Sequence, residues 1–338
     1  MIFKNVELYN ISELIEVDEG KNITSRIPDD LRLKLNESAK TRALMPAGCE
    51  IRFNLKSEKV KLVLQAKEEG AVGVCEVYQG NFLKFHHFVS DKPTTIELKK
   101  EDLFVNNEKL KKLWEEKNLS FDSSLTRIIL PHLLTLKIID IEGEFTLPEK
   151  NQTPAIKYLA YGSSITHGQS ALRPSGSYAM RTAQLLGVDL INLGFGGGAH
   201  LEKEMADYIA ERNDWDFATL EIGINMVGGF EVDEFQKRVE YFIPKIAEKN
   251  PDKWIFCIDI FTFNGDFFGD YKGKEKKFRE IVKSSVENLN MEKVIHISGK
   301  DILKSVDGLA VDLVHPSPSG MEEMARNLSE TIRKYMKL

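Results

Sequence analysis

Beyond Ile156 the sequence settles into one rhythm: a short apolar run, a turn rich in small residues, then a helical stripe, repeated to the C-terminus. The apolar runs are IKYLAY (156–161), VDLINL (188–193), FATLEI (217–222), WIFCIDIF (254–261) and VIHIS (294–298). Between them, helical spacing relates Tyr178, Thr182 and Leu185, then Leu201, Met205, Tyr208 and Ile209, then Phe235, Val239, Phe242 and Ile246. A further helix is expected over 275–289, and Met321, Met324, Leu328 and Ile332 mark a terminal one. Runs without polar alternation suit strands covered on both faces. Strands alternating with helices predict a parallel sheet in a three-layer α/β/α domain. Such sheets place their sites beyond the C-terminal ends of the strands, which singles out the turns after Tyr161, Leu193 and Ile222.

The first half reads differently. Residues 51–55, the stretch around Val60, Leu62 and Leu64, and residues 71–78, 94–98 and 130–141 are strand-like runs punctuated by Gly, Asn, Asp and Lys. Without helical stripes between them they predict an all-β sandwich. Residues 108–117 are polar, either a short helix or an excursion between strands. The polar, proline-containing stretch LPEKNQTPAI, from Leu147, divides the halves. Two domains are therefore expected, 1–150 and 155–338, and a 338-residue chain that is 42% hydrophobic can bury a core in each.

The net charge of −6 comes with lysines and acids interspersed, so there is no clustered basic footprint for nucleic acid. No apolar run is long enough to span a bilayer, and no basic stretch leads into an apolar one at the start, so a cytoplasmic protein without a membrane partner is the default expectation. Cys49, Cys75 and Cys257 are far apart and are expected to be buried, and no CxxC pair points to zinc or redox exchange. Neither a metal nor a cofactor is expected.

Three turns and one late loop carry residues that could do chemistry. GSSITHG (162–168) puts a serine where a strand meets a helix N-terminus, whose amides favour a developing oxyanion. NLGFGGGAH (192–200) exposes backbone N–H groups able to cradle an anion. Gly194, Gly196 and Ala199 also fit a dinucleotide fingerprint, with Asp216 at the distance of a ribose ligand. That fingerprint normally opens the first βαβ unit, and here it would open the second, which disfavours the nucleotide reading. GIN (223–225) offers the Asn225 amide. In VDLVHPSPSG, Asp312 stands three residues before His315, where a carboxylate can fix the imidazole tautomer and leave Nε2 for a serine proton. Each motif alone is weak. Four in an order that an acyl hydrolase can use are strong.

On these residues the sequence resembles the SGNH hydrolases, the GDSL-like esterases and lipases, over roughly 155–338. GSSI (162–165) matches the first block, with Ser163 where the family usually has Asp and Ser164 at the nucleophile position. Gly197 matches the second-block glycine, Asn225 the third-block asparagine, and Asp312 and His315 the final DxxH block. Ser163 places the chain closer to a GSSIT-type subgroup, some members of which carry an N-terminal β-sandwich or jelly roll. The resemblance implies a flavodoxin-like domain hydrolysing carboxylic esters, short acyl esters of a carbohydrate or small molecule among them. It implies the triad Ser164, Asp312 and His315, and an oxyanion hole from the N–H groups of Ser164 and Gly197 and the side chain of Asn225. His167 and His200, near sheet-edge turns, and Phe267, in the long 263–273 loop, are candidates for the substrate pocket. An acyltransferase using the same serine and a non-catalytic carbohydrate-binding protein are the alternatives, and homo-oligomer formation stays open.

Overall fold

The structure, a computed structural model, describes residues 1–18, 21–99 and 106–338. Five strands form a parallel sheet in the second half: β1 (Lys157–Gly162), β2 (Asp189–Gly194), β3 (Phe217–Glu221), β4 (Trp254–Ile258) and β5 (Val294–Ile297). Their spatial order is β2-β1-β3-β4-β5. Helices follow the strands or their turns, among them α1 (Ser164–His167), α2 (Tyr178–Leu186), α3 (Lys203–Glu211), α4 (Val232–Lys249), α5 (Lys274–Leu289) and α6 (Pro318–Arg333).

Strand alternation sorts the side chains into two cores. Leu159, Tyr161, Ile191, Leu193, Ala218, Leu220, Ile255 and Cys257 share one cluster with α3, α4 and α5. Tyr158, Ala160, Leu190, Phe217, Phe256, Ile258 and Ile297 share the other with α2 and α6. Both faces are covered, which explains the near-continuous apolar runs.

The first half holds two antiparallel sheets. One has seven strands: 2–3, 6–9, 50–55, 126–129, 72–79 and 82–90 in spatial order, with 145–146 also paired to 50–55. The other has five, in the order 13–18, 21–25, 136–142, 59–66 and 94–99. Ile51, Phe53, Cys75 and Val77 of the first share a core with Leu62, Leu64, Ile96 and Leu136 of the second. All three cysteines are free and buried.

Three local readings change. The run 130–141 is not one strand: Thr126–Ile129 and Leu136–Glu142 belong to different sheets. Pro131, which has no N–H to give a ladder, begins the turn between them. The polar stretch 108–117 is a helix, Asn107–Lys117, capped by the Asn106 side chain on the Lys109 N–H. Phe82–Ser90 is a strand that the sequence pattern left unread, because its inner and outer positions do not alternate cleanly; Phe88 is 66% exposed while Phe85 packs on the core.

The two halves meet at the edge strand β2, which would otherwise present an open ladder. Arg52 makes a two-pronged ion pair with Asp189, at 2.7 and 2.6 Å, and Glu50 bridges Arg52 and Arg127. Arg26, wholly buried, donates to the carbonyls of Met45, Asn192, Arg42 and Gly194 at 2.7–2.9 Å.

Candidate active site

β1 ends at Gly162 and the chain turns directly into α1. Ser163 caps that helix, its Oγ accepting the Ile165 N–H at 3.1 Å. Behind the turn stands Glu221, the last residue of β3. Its Oε2 accepts the Ser163 N–H at 2.6 Å and the Thr166 hydroxyl at 2.9 Å, and Thr166 Oγ1 lies 2.7 Å from the Tyr178 hydroxyl. None of these four side chains is more than 2% exposed. Burial pushes the Glu221 carboxyl above its usual range, against the hydrogen bonds from Ser163 and Thr166. Only glycine fits at 162, because a Cβ there would lie 2.3 Å from both Glu221 Oε2 and Thr166 Oγ1.

The packed turn presents Ser164. Its Oγ is 2.8 Å from His315 Nε2, and His315 Nδ1 is 2.7 Å from Asp312 Oδ2. The other oxygen of Asp312 accepts the N–H groups of Val314 and His315, each at 3.0 Å. Burial acts to raise the Asp312 carboxyl, but the hydrogen bonds from the His315 side chain and from these two amides outweigh it and hold the pKa below its usual range. An ionised carboxylate can only accept, so Nδ1 carries the proton and Nε2 turns a lone pair to the serine hydroxyl.

The loop carrying this pair is closed by its own backbone. Ala310 N–H donates to His315 O at 2.7 Å, and Leu309 bridges to Pro316. Asn264 N–H donates to the Leu313 carbonyl at 2.7 Å, and Leu313 takes a left-handed φ of +52°. Ser317 then caps α6 through the Gly320 N–H.

The glycine turn after β2 lies against the nucleophile. A Cβ on Gly196 would meet Ser164 Cβ at 3.4 Å. Gly197 is exposed and has a φ of +68°, open to glycine at no steric cost. Asn225, half-buried beyond β3, is tied to the same turn: its Oδ1 accepts the Ala199 N–H at 3.1 Å. The structure thus brings together Ser164, Asp312 and His315, sets Gly196 against the serine, and ties Asn225 to the end of the same glycine turn.

The three pocket candidates fare differently. His167 lies beneath the surface, 2% exposed, with Nε2 2.5 Å from the His132 carbonyl and Nδ1 3.0 Å from that of Gly194. Burial, with Arg26 next, drives its pKa well down, and at this depth it packs the turn from beneath and does not form a pocket wall. His200 is half-buried, edge-on to Phe230 at 5.0 Å, with its pKa lowered by burial. Phe267 is 45% exposed on the short helix Gly265–Phe268, and Asn264 just before that helix is the residue bound to Leu313.

Sequence reasoning missed Glu221, Thr166 and Tyr178. A carboxylate closing an otherwise apolar buried strand was a usable signal for Glu221. It also missed Arg42, whose approach to the site depends on the contact between the halves.

The sequence pattern of the GDSL-like Lipase/Acylhydrolase family matches residues 156–333. No curated protein matches the sequence. Among solved structures, the salicylyl-acyltransferase SsfX3 from a tetracycline biosynthetic pathway superposes with a TM-score of 0.80 at 18% identity, covering 98% of this chain and 96% of that one. A GDSL-like lipase of Bacteroides ovatus ATCC 8483 gives 0.69 at 20% identity, over 98% of each chain. A family two carbohydrate esterase from Cellvibrio japonicus gives 0.63 at 14% identity, over 98% and 95%. The structural likenesses speak for the fold, and the family match spans the whole parallel-sheet half with its serine, asparagine and Asp-x-x-His turns: the chain belongs to the GDSL-like lipase/acylhydrolase family.

Proposed function

We propose that the protein is a serine esterase in which Ser164 is the nucleophile, His315 the general base and acid, and Asp312 the group that orients His315. The observation that carries this reading is the unbroken line from Ser164 Oγ through the imidazole to Asp312, at 2.8 and 2.7 Å. His315 Nε2 takes the hydroxyl proton as Ser164 Oγ attacks the ester carbonyl. The oxyanion is held by the N–H groups of Ser164 and Gly197 and the side-chain amide of Asn225. Nε2 then protonates the leaving alcohol, and a water activated by the same imidazole releases the acid.

We read the two halves as two domains, 1–150 and 155–338: an N-terminal β-sandwich of jelly-roll type before a flavodoxin-like hydrolase domain of the GSSIT subgroup. The strand order 2-1-3-4-5 supports the second label, and the shared core of the two antiparallel sheets supports the first. Short acyl esters of a carbohydrate or small molecule are the substrate class, supported by several carbohydrate esterases of similar fold. Acyl transfer through the same serine is a second reading, favoured by the end-to-end superposition on an acyltransferase.

Hydrolysis of p-nitrophenyl acetate and butyrate by the wild type and Ser164→Ala tests the first reading. Turnover confined to the wild type is expected, and equal turnover in both would remove Ser164 from its role. Added alcohol separates the second reading: ester product exceeding free acid marks a transferase.

A further inference from the structure

The short helix Glu37–Arg42, from the N-terminal half, is seated on the glycine turn that flanks the nucleophile. A Cβ on Gly198 would lie 2.5 Å from the Ala39 nitrogen, and one on Gly197 3.6 Å from Ser38 Oγ. Asn36, the N-cap of that helix, donates from Nδ2 to the Gly198 carbonyl at 2.9 Å and also to Glu202. At the other end of the helix, the Arg42 carbonyl is held by Arg26, which also holds Gly194 O at the end of β2. The position of Arg42 is therefore set by the same buried cation that fixes the strand leading into the glycine turn.

The Arg42 side chain reaches toward the nucleophile. A Cβ placed on Gly196 would lie 3.3 Å from Arg42 Nε and 3.4 Å from Ser164 Cβ, so one small gap separates the guanidinium from the serine. Its nearby partner is weak, Nη1 lying 3.2 Å from the Met45 sulfur. Among the described residues no carboxylate pairs with it, whereas Arg52, at the other end of β2, is held by Asp189 and Glu50. The side chain is only half-buried. A guanidinium at the C-terminus of a six-residue helix gains little from the helix dipole by leaning away over a neighbouring turn. It is, however, a planar fork of donors matched to a carboxylate or phosphate.

We propose that Arg42 is a specificity-determining residue that selects esters carrying an anionic group, a carboxylate in the first instance, close to the scissile bond. The N-terminal half thereby contributes to the substrate site and not only to the fold. This rests on the esterase reading for its reaction, but the binding of the anion does not.

Two matched pairs test it. Mono-p-nitrophenyl adipate against p-nitrophenyl hexanoate places the charge on the acyl side, and 3-carboxyphenyl acetate against phenyl acetate places it on the alcohol side. The wild type is expected to prefer the anionic member of one pair in kcat/KM. Arg42→Gln lowers that preference by about tenfold or more, chiefly through KM, and Arg42→Lys keeps part of it. A wild type without preference in either pair, or an Arg42→Gln loss equal for charged and neutral members, overturns the inference. Calorimetric binding of adipate and of 3-hydroxybenzoate to Ser164→Ala reads the site without turnover. Binding that Arg42→Gln abolishes sustains the inference even if no ester is hydrolysed, and binding of neither anion with no ester turned over removes it.

Discussion

The two turns that supply the serine and the histidine are built in opposite ways. The nucleophile turn is packed from behind by Glu221, Thr166 and Tyr178, all buried, and its strand residue must be glycine. The Asp312–His315 loop lies at the surface, with the Asp312 side chain 49% exposed and Val311 wholly so. Its geometry comes from hydrogen bonds within the loop, one tie to Asn264, and the anchoring of Leu309 and Leu313 on the core under α2 and α6. The difference teaches that the serine is held by the fold, while the base is held by local chemistry. Damage to the first should appear as lost stability, and damage to the second as lost turnover.

Asp312→Asn should give the largest effect and the cleanest separation. An amide cannot hold the required tautomer, so kcat should fall by about 10⁴ while the urea midpoint barely moves. A large stability loss instead would mean that the loop is part of the core. Asn225→Ala sharpens the contrast from the oxyanion side, with an expected drop of about 10²–10³ in kcat. A smaller drop would take the amide out of the proposed hole. Gly162→Ala attacks the packed turn: the added methyl meets two buried oxygens, and overpacking of this kind costs about 1–3 kcal/mol in urea denaturation. Unchanged stability would show that the turn yields more easily than its packing implies.

The smallest effect is a pH dependence where the halves join. Burial alone would raise the Glu50 carboxyl, but Arg127 and Arg52 outweigh it and bring the pKa from 4.5 to about 2. The folded value lies below the unfolded one, so the cluster's stabilisation is complete above pH 4.5 and is lost as pH falls toward 2. Urea midpoints measured between pH 7 and 3 should decline less steeply for Glu50→Gln than for the wild type. Equal slopes would assign the acid sensitivity to other groups.

What the sequence shows on its own follows the same divide. The five parallel strands were legible because both of their faces are buried and the runs are apolar end to end. The DxxH spacing was legible because Asp312 and His315 bond to each other across three residues. Phe82–Ser90 was not, since a half-exposed strand has no clean alternation. The break at Pro131 was lost inside an apolar stretch that serves two different sheets. His167 looked like a pocket residue from its place beside the serine, but α1 turns it inward between two carbonyls. Arg42 had no local signal at all, because more than a hundred residues of chain separate it from the turn it faces.

The central claim is that Ser164 is activated by His315. Labelling with a fluorophosphonate, followed by peptide mass spectrometry, tests it most directly. The account predicts a single adduct on Ser164 in the wild type, strongly reduced in His315→Ala. An adduct on another serine, or undiminished labelling of Ser164 without His315, would contradict it.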